Sequence, residues 1–115
     1  MELVHRPGDG SATTLASDVE MASSRLAKAR GLMLRRDFEG ALVFPFDRVA
    51  RRSVHMVGVL FPIDVVWTVS SEVTAVRRLS PFVGLGRARA DRIVELPAGT
   101  AAAVAVGDRL ELVED

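Results

Sequence analysis

At 115 residues, 49% hydrophobic and 26% charged, the chain suits one domain, which at this size buries roughly 65% of its unfolded surface without staples. The absence of cysteine excludes a disulfide framework and a thiolate metal site, and permits a reducing compartment. Fifteen basic residues balance fifteen acidic ones, so the domain as a whole lacks the basic excess of a dedicated nucleic-acid binder.

The balance is uneven along the chain. Residues 48–92 hold eight arginines against Asp64, Glu72 and Asp91, whereas from residue 93 onward Arg109 faces five acids. A basic middle can attract phosphates, or it can pair with the acidic end across an antiparallel sheet. No apolar run reaches the length of a membrane span, and the N-terminus lacks a signal-peptide core. A soluble, cytoplasmic protein is expected.

In chain order, a short strand is expected at Glu2 to His5, with a Gly-, Asp- and Ser-rich turn returning Thr13 to Ala16 against it. Ala22, Leu26, Ala29 and Met33 recur at helical spacing behind Ser23 and Ser24, which predicts a helix near Ser24 to Gly31. From Gly40 the period changes to two, with Leu42, Phe44 and Phe46 on one face and Pro45 suggesting an edge or a strand end. The run from Ser53 to Trp67 reads as two buried strands meeting at Pro62. Ile63, Val65, Trp67 and Val69 then share a strand face, and Ser70-Ser71 turns the chain into a partner strand beginning at Val73. The segment from Leu79 to Ala90, with Pro81, Gly84 and Gly86, predicts the longest loop. Arg92 to Leu96 is a strand. Pro97 to Thr100 turns into a short alanine-rich helix near Gly99 to Val104, and a tight turn at Val106 to Asp108 precedes a last strand.

Few residues offer chemistry. Asp64 lies between Ile63 and Val65, so it points to the opposite sheet face from Ile63, Val65 and Trp67. Such a carboxylate is either a general base or metal ligand, or a structural acceptor of backbone N–H groups or of the Arg35 guanidinium. His55 alternates with Val57 and can meet Asp64 as a His-Asp pair, or simply fill a strand position. With only His5 and His55 as imidazoles, no metal-ligand spacing is present, and no cofactor is implied. Ser53 precedes His55 by two, but no nucleophile elbow accompanies it. Gly84-Leu85-Gly86-Arg87 has two glycines and a cation without the following helix of a phosphate cradle, and reads as a flexible loop.

Several motifs occur together in one order: Gly31-Leu32-Met33 with Arg35, Gly40-Ala41-Leu42-Val43-Phe44, Met56 with Leu60 and Pro62-Ile63-Asp64, Glu95-Leu96-Pro97-Ala98-Gly99, and Val106-Gly107-Asp108-Arg109-Leu110. In these the chain, from about Thr13 to Leu112, resembles the domain of unknown function 192. The resemblance implies a mainly β domain, a small antiparallel barrel or sandwich with a packed helix, and implies no reaction. Where many bacterial relatives carry an Asn-Thr pair preceded by lysine, Val57-Gly58-Val59 stands here.

The favoured reading is a non-enzymatic binding or accessory module for a small molecule or a protein. Its site is expected at a rim formed by the Leu79 to Ala90 loop, Arg35 and the His55 to Asp64 region, so that Arg35, His55 and Asp64 are the ligand-binding candidates. The alternative is a small hydrolase or isomerase using Asp64 and His55. A third reading is weak nucleic-acid binding through Arg48, Arg51, Arg52, Arg77 and Arg78. No membrane partner is expected.

Overall fold

The computed structural model describes residues 1–24 and 31–114. Among these are eight strands: β1 (Glu2–Arg6), β2 (Thr13–Ala16), β3 (Val19–Met21), β4 (Ala41–His55), β5 (Ile63–Val69), β6 (Glu72–Leu79), β7 (Leu85–Pro97) and β8 (Arg109–Val113). They form one mixed sheet in the order β2-β1-β8-β6-β5-β7-β4-β3, antiparallel except where β3 runs parallel to β4. The mainly β class and the return of Thr13 to Ala16 against β1 are as expected. The sheet does not close: β2 and β3 are its two edges, so the expected barrel is an open sheet.

β5 shows why the apolar run is continuous. Ile63, Val65 and Trp67 face one cluster with Leu42, Phe44, Met56, Leu79 and Ile93. Val66 on the opposite side joins Leu3, Val43, Val94, Leu96, Ala101 and Leu110. A central strand covered on both faces has no solvent side to carry polar residues, and Thr68 and Asp64 are buried with it. At the edge of the second cluster, buried His5 donates through Nε2 to Asp108 Oδ2 at 2.7 Å, tying β1 to the turn before β8.

The first face is closed by its own sheet bending over. The β4–β7 ladder shifts register between Pro45 and Ala50, and beyond that bulge Ala50 to His55 pair with Ala90 to Leu85 as a two-stranded ribbon. Gly86 on this ribbon sits so close to the Trp67 ring that an added Cβ would lie 2.6 Å from it. Trp67 Nε1 donates to the Arg52 carbonyl at 3.0 Å. The segment read as a loop from Leu79 to Ala90 is therefore a loop only at 80–84, and strand β7 begins at Leu85. Its period was hidden because the residues turned to the core are Gly86, Ala88 and Ala90, which carry almost no hydrophobic signal.

The helix expected near Ser24 to Gly31 lies mostly outside the described residues, since 25–30 are not among them. The short helix expected near Gly99 to Val104 is absent, replaced by successive turns in which Thr100, Ala102 and Val104 N–H groups donate three residues back. Gly99 has φ +98, outside any right-handed helix, and the Asp64 carboxylate accepts the N–H groups of Gly99 and Ala101. The Ser70-Ser71 turn forms as expected, with both residues at positive φ (48 and 71), as a type I′ hairpin requires. Asp91 accepts the Ser70 N–H at 3.1 Å and steadies it.

Candidate functional site

Three loops meet at one end of the first face. Leu34 N–H donates to the Gly58 carbonyl, Phe82 N–H to the Val59 carbonyl, and Met56 N–H to the Gly84 carbonyl. This lacing holds the turn at 31–34 over the sheet and leaves beneath it a cavity of about 290 Å³. Apolar walls come from Leu32, Met33, Phe44, Phe46, Val54, Val59, Ile63 and Ile93. The polar lining is Ser53, His55 and Glu95.

Glu95 is the unusual member. Its register partners on either side are Leu42 and Val65, both core residues of the first face, so the strand pleat delivers its carboxyl among them. It is 7% exposed, and among the described residues none donates a hydrogen bond to it. Burial pushes its pKa up to about 7, with the Arg35 charge nearby partly offsetting the effect. Among the described residues no fully buried side-chain oxygen lacks a partner, so the Glu95 oxygens, which have no donor among those residues, are open to the cavity and to a group that enters it.

Asp64 supplies the contrast from the other face. It is 3% exposed, and its oxygens accept from Arg78 Nε and from the N–H groups of Gly99 and Ala101, each at 2.9 Å. Its cationic partner is Arg78 and not Arg35, the candidate named from sequence. Arg35 grips Glu20 of β3 through both terminal nitrogens, at 2.6 and 3.3 Å. That pairing holds the Glu20 carboxyl below its ordinary range and raises the guanidinium.

The three candidates from sequence therefore do not assemble. His55 is exposed, lines the cavity, and accepts the Val57 N–H on Nδ1 at 3.3 Å. Arg35 stands near Glu95, while Asp64 is on the opposite face of the sheet. No residue from 79 to 90 lines the cavity. No hydrogen bond joins Ser53 to His55 among the described residues, and in the same set no three His, Asp or Glu residues stand close enough to hold a metal ion. Nor do the five arginines form one surface. Arg51 and Arg52 are strand neighbours on opposite sides, as are Arg77 and Arg78. Arg78 is taken by Asp64, and Arg52 lies 3.7 Å over the Phe46 ring while donating to the Ala90 and Arg48 carbonyls.

Sequence reasoning passed over Glu95 although its signal matches that of Asp64: a carboxylate flanked by Val94 and Leu96 in an apolar strand. What the sequence lacked was any means of seeing that, among the described residues, one carboxylate finds donors and the other finds none.

Two crystal structures share the fold. One, from Sinorhizobium meliloti 1021 and described as a "putative transcription regulator", superposes with a TM-score of 0.84 at 23% identity, covering 96% of this chain and 91% of that one. The other, a protein of unknown function from Novosphingobium aromaticivorans DSM 12444, gives 0.81 at 18% identity, covering 97% and 84%. At these identities the likeness is one of fold alone. No curated protein matches the chain. Among the described residues no helix is long and apolar enough to cross a membrane. Residues 7–112 match DUF192, "Uncharacterized ACR, COG1430", and the chain thus belongs to the domain of unknown function 192 family.

Proposed function

We propose that the domain is a non-enzymatic binding module whose ligand occupies the Glu95 cavity. The observation that carries this reading is a buried carboxyl facing an apolar cavity with no donor of its own among the described residues. A site with apolar walls and a few polar groups, here Glu95 with Ser53 and His55, is the common form of a small-molecule pocket. The hydrolase alternative loses its pairing, because Asp64 and His55 stand on different sides of the sheet and the Asp64 oxygens are engaged in holding a turn.

The test is thermal unfolding of the full chain against a library of small, mainly apolar molecules with one polar head. A ligand that binds only the folded state raises the unfolding temperature in proportion to its concentration. Hits are expected to stabilise the parent and to lose that effect in Ile93→Phe, which fills the cavity. Hits that stabilise both proteins equally, or no hits at all, would overturn the reading.

A further inference from the structure

We infer that the cavity recognises an ammonium group, set against Glu95 and carried on an apolar body that fills the remaining space. The inference rests on the binding reading above and names its ligand class.

Charge argues first. Among the described residues, Glu95 is the single carboxylate in the lining and no lysine or arginine lines the cavity. An anionic ligand would bring like charge against it. A sugar or other polyhydroxylated ligand would bury hydroxyl groups against Leu32, Phe44, Val59, Ile63 and Ile93 without partners, a costly arrangement. A protonated amine supplies a donor that no described residue gives Glu95, together with a positive charge against it, and the pair enters the apolar space as a neutral unit.

The walls argue second. Phe44, Phe46 and the Met33 thioether are polarisable surfaces, and aromatic faces attract cations. Phe46 already does so, holding the Arg52 guanidinium 3.7 Å above its ring. Size argues third. An apolar cavity of ~150 Å³ accommodates benzene, so the space here takes a body of about that size together with its aminoalkyl arm.

The charged groups around Glu95 set the sign of the pH dependence. Arg35 approaches from the 31–36 turn and is engaged by Glu20 of β3, while β4 and β5 present the apolar Leu42, Phe44, Ile63 and Val65. Among the described residues, His55 at the ribbon end is the other titratable group of the lining. An amine requires the ionised carboxylate, so its affinity rises with pH until Glu95 is fully ionised. A carbonyl ligand can only accept, so it prefers the protonated acid and its affinity falls over the same range, while a neutral alcohol brings no charge to the carboxylate and shows a smaller rise than the amine.

Titration calorimetry of the full chain with 2-phenylethylamine, against the neutral 2-phenylethanol, at pH 5.5 and pH 8 tests this. The amine is expected to bind about thirtyfold more tightly at pH 8, to outbind the alcohol there, and to weaken at least tenfold in Glu95→Gln. His55→Asn is expected to keep the pH slope, which assigns it to Glu95. Ammonium groups also occur on lysine side chains, so a second arm uses N-acetyl-lysine methylamide. Binding of the free amine alone points to a small metabolite-like amine, and binding of both points to a lysine-bearing partner. Alcohol binding as tight as amine binding, an affinity that falls with pH, or indifference to Glu95→Gln overturns the ammonium assignment while leaving the cavity reading intact. Binding of neither compound overturns both.

Discussion

Two buried carboxylates on neighbouring strands show how little residue type alone decides. Asp64 satisfies a turn and a cation, whereas Glu95 faces space, and the difference lies in what each sheet face packs against. Asp64→Ala leaves the Gly99 and Ala101 N–H groups without their acceptor, a loss expected to cost about 1 to 3 kcal/mol in urea unfolding. Asp64→Asn retains the shape and one acceptor and is expected to cost less. Glu95 makes the opposite contribution. Folded, it titrates near pH 7, against an ordinary 4.5, so between these values the folded chain keeps a proton that the unfolded chain releases. Stability therefore falls as pH rises through that window and levels off above it, by about 3 kcal/mol in all. Glu95→Gln removes this slope, so its advantage over the parent is expected to be larger at pH 8 than at pH 5 in the same unfolding measurement. The anchoring role of Asp64 was legible in the sequence, but its partner was not. A two-residue turn at Ser70-Ser71 in regular register would set Asp64 opposite Arg77. The register shifts between Trp67 and Thr68, and Asp64 meets Arg78 instead.

At the scale of elements, strands read well where large apolar residues alternate and poorly where small ones do. β5, the Ser70-Ser71 hairpin and the strand after the Val106 to Asp108 turn follow from side chains big enough to declare a face. The first half of β7 does not, because glycine and alanine do its packing. The turns at 99–104 look helical by composition, yet Gly99 at φ +98 and hydrogen bonds that reach only three residues back keep them as separate turns. β3 escaped notice as well. It is three residues long and runs parallel to β4, and its approach depends on Gly40. That residue has φ +76, and a Cβ there would fall 2.1 Å from the Asp18 carbonyl oxygen. The same oxygen accepts the Ala41 N–H at 2.8 Å. Gly40→Ala is therefore expected to lower stability by at least about 2 kcal/mol and to free the β3 edge. Hydrogen exchange at Ala41, faster in the variant than at β5 amides, would register the second effect.

For the whole molecule, zero formal net charge leaves only local fields. Arg51 stands opposite Arg89 on the ribbon, with Arg87 two residues on, and this small cationic face lacks the extent that phosphate-backbone binding needs. Fluorescence anisotropy with labelled duplex DNA is expected to show weak binding that disappears at physiological salt, and submicromolar affinity there would revive the nucleic-acid reading. The folded-over ribbon has a further consequence. Trp67 is the sole tryptophan of a chain without tyrosine; it is wholly buried, against Gly86, with its indole N–H bonded to the ribbon backbone. Light absorbed at the red edge of the protein band is therefore emitted from one place, the seam between sheet and ribbon. Any lifting of that ribbon, by heat, denaturant or a ligand entering beside it, moves the emission toward longer wavelength before the rest of the sheet has parted, so the molecule carries its own optical gauge of that one hinge.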